Sequence, residues 1–438
     1  MSRDPVVQCG GEGARARWDE LYKFVAKQGG LAVGNGLLNG MQETRRQFQG
    51  NGGMHLLDLL VARRGAKATD PRDLVYAVLG MHDDARRFFS ADYGLDTEQV
   101  YVLAAMSVVM EMQARRNVWW PTLRNVLAAA ERGRLARSMP RDLPSWVPDW
   151  TMAGDIAPLP PTFLGGTAES RFDPDETRLG EDRRPWCTTA GNPPILVCLG
   201  HRLSMTVEHI GPFFPPIEAL SPKMRTLFLQ VLQAYSRFAN YERPTLLTKV
   251  LIGLFSEIAK HQGPGGGTES AGQRATTLDT WLSQSSAMDN PLVHMIRAYL
   301  DGSEAPHRLQ GRRLALLKQT WMSGSATTFR SVLSVVPYNA QPDDLCVALL
   351  PSVSLYLVRE EDNPTLASEQ QVLQGAQQIK ACERTWANGW ETVKPTAVGT
   401  WARLVGECFP TTFHLPGLRP EEEIKKLPLF SNHVVAIL

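Results

Sequence analysis

Asp70 and Asp73 stand one helical turn apart in Ala68-Thr69-Asp70-Pro71-Arg72-Asp73-Leu74-Val75-Tyr76-Ala77-Val78-Leu79-Gly80-Met81. Two carboxylates at that spacing are what general acid and base chemistry needs. A structural account competes with it. Thr69 or Asp70 caps a helix N-terminus, because a short side-chain oxygen there accepts from backbone N–H groups that lack helical partners. Pro71 suits the first helical position, Asp73 meets the positive end of the helix dipole, and Gly80 closes the helix. Arg72 is left to pair with a nearby carboxylate. This account explains every residue type in the run, so the two carboxylates are assigned to structure.

The other chemistry-bearing residues yield less. Gly34, Gly36 and Gly40 have the look of a dinucleotide loop but follow a helical pattern instead of a strand, and Gly263 to Gly267 lacks the Lys-Ser/Thr of a phosphate loop. His201 and His209 lie near Cys198 without metal-ligand spacing, and nothing local pairs Cys187 or Cys408 with a base. Trp146 and Trp150 flank Pro148 and Asp149, where indoles either stack a ligand ring or bury apolar area; burial is the simpler reading. Arg115, Arg116, Arg124, Arg132, Arg134, Arg137 and Arg141 form a basic run without interleaved aromatics, the pattern of a solvated helix face. No catalytic residue, metal site or cofactor is assigned, and the chain is read as non-catalytic.

The elements that must position these residues follow from periodicity. Trp18, Leu21, Tyr22 and Val25 carry a helical stripe over 14–28. A leucine-rich helix follows at 56–61. Asp96 and Gln99 resemble a capping box at the head of another helix from Val100, and a further helix begins near Pro121 or Thr122. MPRDLPSWVPDW is broken by proline and should be extended. Short β-prone runs lie at 195–199 and 203–210, helical patterns at 221–238, 245–260 and 276–300, and β-prone runs again over 312–319, 331–337, 345–350 and 355–359. The expected fold class is α+β, with mainly helical N-terminal and middle regions and a small β-rich C-terminal unit. The expected organisation is a helical region 1–151, an irregular connection 152–194, a mostly helical region 195–310 with a linker at 261–272, and a β-rich unit 311–438.

Composition bounds the partners. The chain has 438 residues, 43% hydrophobic and 21% charged, with a formal net charge of +1. That balance sets up no field to draw nucleic acid or an anionic membrane. No apolar run reaches the roughly 20 residues needed to span a bilayer, and the N-terminus lacks a signal-peptide core. Six scattered cysteines without CxxC fit buried, reduced thiols and a cytoplasmic location.

A resemblance adds to this reading. ATDPRDLVYAVLGM, followed by Ala91-Asp92-Tyr93 and Val100-Tyr101 and then by Leu143-Pro144-Ser145-Trp146-Val147-Pro148-Asp149-Trp150, resembles the ordered signature of the fungal heterokaryon-incompatibility (HET) domain family. Asp70, Pro71, Arg72, Asp73, Tyr76, Gly80, Asp92, Tyr93, Trp146, Pro148, Asp149 and Trp150 are the positions that match, and their expected role is structural. Gly311-Arg312-Arg313-Leu314, Pro342-Asp343-Asp344-Leu345-Cys346-Val347, Tyr356-Leu357-Val358-Arg359 and Val405-Gly406-Glu407-Cys408-Phe409 are similar to the family's later G-R-R-(L/F), x-G-D-x-(V/I), V-L-R and V-G-E-C-Y pieces. The family's opening S-Y-(V/C)-W-G and I-C-I-N-Q runs do not occur, so the expectation is a chain without the N-terminal half of the domain. The resemblance implies fungal non-self recognition and programmed cell death. Here that role would be played through contacts with other proteins, full-length relatives among them. The alternative is a nucleotide (NAD-type) hydrolase related to Toll/interleukin-receptor (TIR) domains.

Overall fold

The structure is a computed structural model that describes residues 55–64, 66–79, 89–114, 123–131, 143–152, 194–238, 244–262, 291–302, 308–323, 326–350, 354–361, 398–411 and 434–438, with the short segments 6–9, 14–17, 22–24, 185–187, 382–385 and 389–392 and single residues at 20, 42, 46, 159 and 370. The chain divides into two compact units: Met1–Pro121 with Asp149–Gly154, and Thr122–Pro148 with Asp155–Leu438.

The first unit contains a hairpin of β1 (Val6–Cys9) and β2 (Ala14–Arg17), and helices α1 (Leu56–Ala62), α2 (Asp73–Leu79) and α3 (Thr97–Ala114). The helical stripe expected over 14–28 is corrected at its start. Residues 14–17 alternate Ala-Arg-Ala-Arg, a period of two that suits a strand, and they pair with β1. α1 buries Leu56, Leu57, Leu59 and Leu60. At the head of α3 the capping box forms reciprocally: Gln99 N–H donates to Asp96 Oδ1 at 2.7 Å, and Asp96 N–H donates to Gln99 Oε1 at 3.0 Å. Val100, Ala104 and Val108 with Tyr101, Ala105 and Val109 then form two adjacent columns along one helix face, all buried.

The second unit is built on a β-barrel. Its strands are β3 (Trp186–Cys187), β4 (Leu196–Phe213), β5 (Arg313–Ser323), β6 (Ala326–Val336), β7 (Leu345–Leu350), β8 (Leu355–Glu360), β11 (Val398–Pro410) and β12 (Val434–Ile437); β9 (Cys382–Thr385) and β10 (Gly389–Thr392) form a separate hairpin. Each of β6, β5, β4, β7, β8 and β11 pairs antiparallel with the next, and β11 pairs with β6, so six strands close on themselves. Helix α4 (Leu123–Ala130) packs on β11. Helices α5 (Pro222–Phe238), α6 (Pro244–His261) and α7 (Pro291–Asp301) fall in sequence between β4 and β5.

Side-chain alternation explains how both faces of the wall are covered. Ala315, Leu317, Val332 and Val336 join Met205, Val207, Cys346, Leu357, Val405 and Cys408 in one buried cluster that fills the interior. Leu314, Leu316, Leu333 and Val335 point the other way, into a second cluster with Phe228, Leu251, Phe255 and Ile296 of α5, α6 and α7. A strand buried on both faces reads as a continuous apolar run, as LALL and SVLSVV do here.

The small β-rich C-terminal unit expected from sequence is therefore corrected. A closed six-strand antiparallel barrel organises the second unit, and its longest strand lies more than a hundred residues ahead of its partner β5. The runs 195–199 and 203–210, read as two strands, are parts of the single 18-residue β4. Gly200 between them makes no turn. Its absent side chain leaves room for the Ala348 carbonyl oxygen of β7, which would lie 2.6 Å from a Cβ at this position.

The barrel interior also holds thiols. Cys346 and Cys408 approach to 3.6 Å between sulfur atoms, and Cys187 and Cys198 are buried in the barrel wall. Burial pushes the Cys187, Cys198 and Cys408 thiols up, disfavouring the reactive thiolate. Alkylating the native protein and locating the adducts by peptide mass spectrometry should leave Cys187, Cys346 and Cys408 unmodified until denaturant is added. Rapid native labelling of Cys346 or Cys408 would contradict a closed barrel.

Candidate functional site

In the first unit the DPRD run forms a clamp. α2 begins at Asp73, and Asp70, Pro71 and Arg72 make the turn that leads into it, with Asp73 N–H bonded to Asp70 O at 3.0 Å. Asp70 Oδ1 accepts the Arg72 backbone N–H at 3.0 Å, while both its oxygens receive the Arg72 guanidinium: Nε at 3.0 and 3.1 Å, Nη2 at 2.7 Å. The third guanidinium nitrogen, Nη1, reaches across to the Tyr93 and Leu95 carbonyls at 2.7 and 2.8 Å. Arg72 thus uses its planar fork twice, once on a carboxylate and once on a turn of backbone.

Tyrosines complete the clamp. Tyr76 donates to Asp92 O, Tyr93 donates to Asp73 Oδ1 at 2.6 Å, and Tyr101 of α3 donates to Pro71 O at 3.0 Å. The Arg72 guanidinium lies 5.2 Å from the Tyr93 ring centroid, and Tyr93 meets Tyr76 edge-on. The Arg72 hydrogen bonds hold the Asp70 carboxyl below its ordinary range, and the bond to Asp73 pushes the Tyr93 phenol up. Of the matched positions, Asp70, Pro71, Arg72, Asp73, Tyr76, Asp92 and Tyr93 come together here; Gly80 lies outside the described residues.

Loosening of the clamp in acid follows from the Asp70 shift. A depressed folded-state pKa contributes stability above the unfolded carboxylate value of about 4, and that contribution is lost as pH falls through the lower folded value. Proteolysis within 89–95 should accelerate on acidification. Arg72→Lys should raise cleavage there at neutral pH, since one ammonium cannot bridge Asp70 and two carbonyls.

The segment 143–150 contributes separately to each unit. In the second unit Trp146 is fully buried and its indole N–H donates to Pro194 O at 3.3 Å. In the first, Arg64 donates to Asp149 O at 3.5 Å and stacks 5.6 Å from the Trp150 ring, while Asp149 Oδ1 accepts from Thr151 N–H at 3.0 Å. Pro148 stands at the boundary of the two units. The two indoles are both buried but do different work.

The strongest electrostatic feature is one the sequence did not single out. Inside the second unit Arg312 is wholly buried and clamps Glu131 bidentately, Nε to Oε1 at 2.9 Å and Nη2 to Oε2 at 2.8 Å. Glu407 of β11 lies 3.7 Å from Arg312 Nη2, receives Arg124 Nε of α4 at 2.7 Å, and accepts the Leu159 N–H at 2.6 Å. Glu131 Oε2 in turn accepts the Glu407 backbone N–H at 3.2 Å. Two cations meet two anions, so the cluster is neutral, which buried charge demands. Burial pushes the Glu131 carboxyl up, against the pull of Arg312.

A second pair lies at the turn between β6 and β7. Asp344 is buried, receives the Arg359 guanidinium at 2.8 and 3.0 Å, and accepts Gln341 N–H at 2.7 Å. Asp343 beside it has φ 69°, the left-handed region that suits glycine, at the position where the x-G-D resemblance carries glycine. Arg312, Glu407, Asp344 and Arg359 all fall in the later motif-like pieces. Arg124 corrects part of the basic-run reading: it is a largely buried partner of the Glu407 carboxylate and not a freely solvated residue. Arg115, Arg116, Arg132, Arg134, Arg137 and Arg141 lie outside the described residues.

These arrangements fix backbone and neutralise charge. Among the described residues no three His, Cys, Asp or Glu side chains converge as metal ligands, and no helix is long and apolar enough to cross a membrane. The structure defines a closed antiparallel β-barrel unit and a helical unit, each tied by bidentate arginine–carboxylate pairs. No family model, curated protein or solved structure matches the chain.

Proposed function

We propose that this chain is a HET-family protein of fungal non-self recognition and cell death, acting through contacts with other proteins and not through catalysis. One observation carries the reading: the carboxylates that match the family signature are each taken up by another side chain of this chain. Asp70 is taken by Arg72, Asp73 by Tyr93, Asp344 by Arg359 and Glu407 by Arg124. A general acid or base must keep a proton-transfer position open to substrate. A motif whose members are held this way supports a scaffold that displays a surface, with full-length relatives as the partners of choice.

The test is co-expression with full-length HET-domain proteins in a filamentous fungus, scored by growth arrest and by co-purification. The expected result is death or arrest that depends on this chain and tracks with complex formation. The purified chain incubated with NAD should release no nicotinamide above a protein-free blank. Sustained release abolished by denaturation would overturn the non-catalytic reading in favour of a nucleotide hydrolase.

A further inference from the structure

We propose that β12 is an exchangeable closing strand, and that the partner fitting its seat is a second copy of this chain. The barrel wall is closed twice between β4 and β11. Over Met205–Phe213 of β4 and Phe409–Pro410 of β11 the gap is filled by β5 and β6. Over Leu196–Leu199 of β4 and Val398–Ala402 of β11 it is filled by β12 alone, antiparallel to β4 and parallel to β11. Four residues therefore close one end of the barrel, and Val435, Ala436 and Ile437 are completely buried in doing so.

The seat carries its own catch. Ser145 N–H donates to Leu438 O at 2.8 Å, the Ser145 hydroxyl donates to the same oxygen, and Leu404 N–H donates to Ser145 Oγ at 2.8 Å. Leu438 N–H bonds to Ala402 O at 2.9 Å. None of these contacts depends on which copy supplies the strand, so an exchanged strand recovers all of them and exchange is close to neutral in free energy.

Chain length permits it. Because β12 runs parallel to β11 beside Val398–Ala402, its start lies roughly 40 Å from the end of β11 at about 3.3 Å per strand residue. The connection 412–433 has about 22 residues and a contour of roughly 70 Å, well beyond that need. The surplus lets the strand reach a neighbouring seat. Attachment to its own chain supplies a millimolar-range effective concentration, so exchange belongs to concentrated protein. The inference is independent of the HET reading.

Val435 lies directly opposite Cys198 in the β12–β4 register, close enough for a disulfide once it is replaced by cysteine. Full-length Val435→Cys, prepared in ordinary and nitrogen-15 forms, is mixed at increasing concentration and oxidised with glutathione disulfide. The expected product is a covalent dimer in which the peptide bearing Cys198 is joined to the peptide bearing the introduced thiol in a pair of hybrid isotope mass. The share of that pair should rise severalfold with concentration. Absence of the hybrid pair at every concentration, whether or not the same-mass pair forms, overturns the proposal. Sedimentation of the unmodified chain gives the second reading. A synthetic peptide of residues 432–438 should lower the dimer fraction by competing for the seat, and a dimer indifferent to excess peptide, or no dimer at all, counts against exchange. Ser145→Ala should speed subunit mixing severalfold; an unchanged rate would remove Ser145 as the catch.

Discussion

Replacing Arg312 with methionine should lower the unfolding free energy by about 3–5 kcal/mol, the range for stripping one partner from a buried ion pair. Arg312 is the only cation bonded to Glu131 among the described residues, and its removal leaves Glu131 and Glu407 buried with Arg124 as their remaining counter-ion. Urea unfolding followed by tryptophan fluorescence reads the loss as a lower midpoint at unchanged slope. Glu131→Gln should cost less, because the amide keeps an acceptor for Arg312 and Glu407 remains 3.7 Å from Arg312 as its counter-ion. The double variant Arg312→Met/Glu131→Met should recover part of the loss, since apolar groups of similar volume often replace a buried pair without penalty.

The pH dependence separates the roles of the two acidic groups. Glu131 has a folded-state pKa raised above its unfolded value, so the folded protein binds that proton more tightly. Its contribution is greatest below the ordinary carboxylate range and declines as pH rises through the raised value. Asp70 has the opposite sign, contributing above its unfolded value and failing in acid. Stability of Glu131→Gln measured from acid to neutral pH should lack the Glu131 slope and keep the Asp70 one. A slope that survives intact in Glu131→Gln would place the titrating group elsewhere.

What the sequence made legible was local. The Asp70 carboxylate engages Arg72 two residues on, in the turn before α2, and Asp96 engages Gln99 three residues on at the head of α3, so contacts of this range could be read directly. The strand runs after residue 312 were legible as alternating or continuous apolar segments. The barrel was not, because its closure joins β4 to β5 across three helices and β8 to β11 across the 361–397 interval. Nothing in LVCLG or SMTVEHI specifies a distant partner, or shows that Gly200 between the two runs is a point of close approach to β7.

The buried ion cluster was hidden for the same reason. Arg312 and Glu131 are 181 residues apart, and Glu131 and Glu407 are 276 apart. A signal did exist. Glu131 follows three alanines, and Glu407 sits inside Val-Gly-Glu-Cys-Phe, so each is a charge in a stretch otherwise fit for burial. Such residues are almost never fully buried unless paired, which makes them candidates for a shared counter-ion before any fold is known. The Asp343-Asp344 and Arg359 pieces were recognisable only as similar to motifs. Their pairing is a statement about the register of β7 and β8, where Leu345 lies opposite Val358.

Gly406→Ala is the substitution expected to do the most damage, about 4 kcal/mol or more, because three separate costs fall on one methyl group. Gly406 has φ 144°, a conformation that side chains rarely adopt, at a register irregularity of β11 between Leu404 and Gly406. Holding a non-glycine residue there costs on the order of 1–3 kcal/mol. The added Cβ would lie 2.7 Å from Pro337 Cγ, 2.8 Å from Glu131 Cγ and 2.9 Å from Glu131 Cδ, and overpacking of this kind adds about 1–3 kcal/mol. Glu131 cannot yield freely, since its carboxylate is pinned by Arg312 and by the Glu407 N–H; any retreat breaks the cluster. The variants Gly406→Ala and Arg312→Met should therefore be less than additive, with a coupling of about 1 kcal/mol or more, as the first already disrupts what the second removes. Gly253 of α6 is the matched control: a Cβ there meets nothing within 4 Å, so Gly253→Ala should stabilise by about 0.5–1 kcal/mol through helix propensity alone. Equal tolerance of alanine at both glycines would dissolve the link between the strand irregularity at Gly406 and the buried charges beside it.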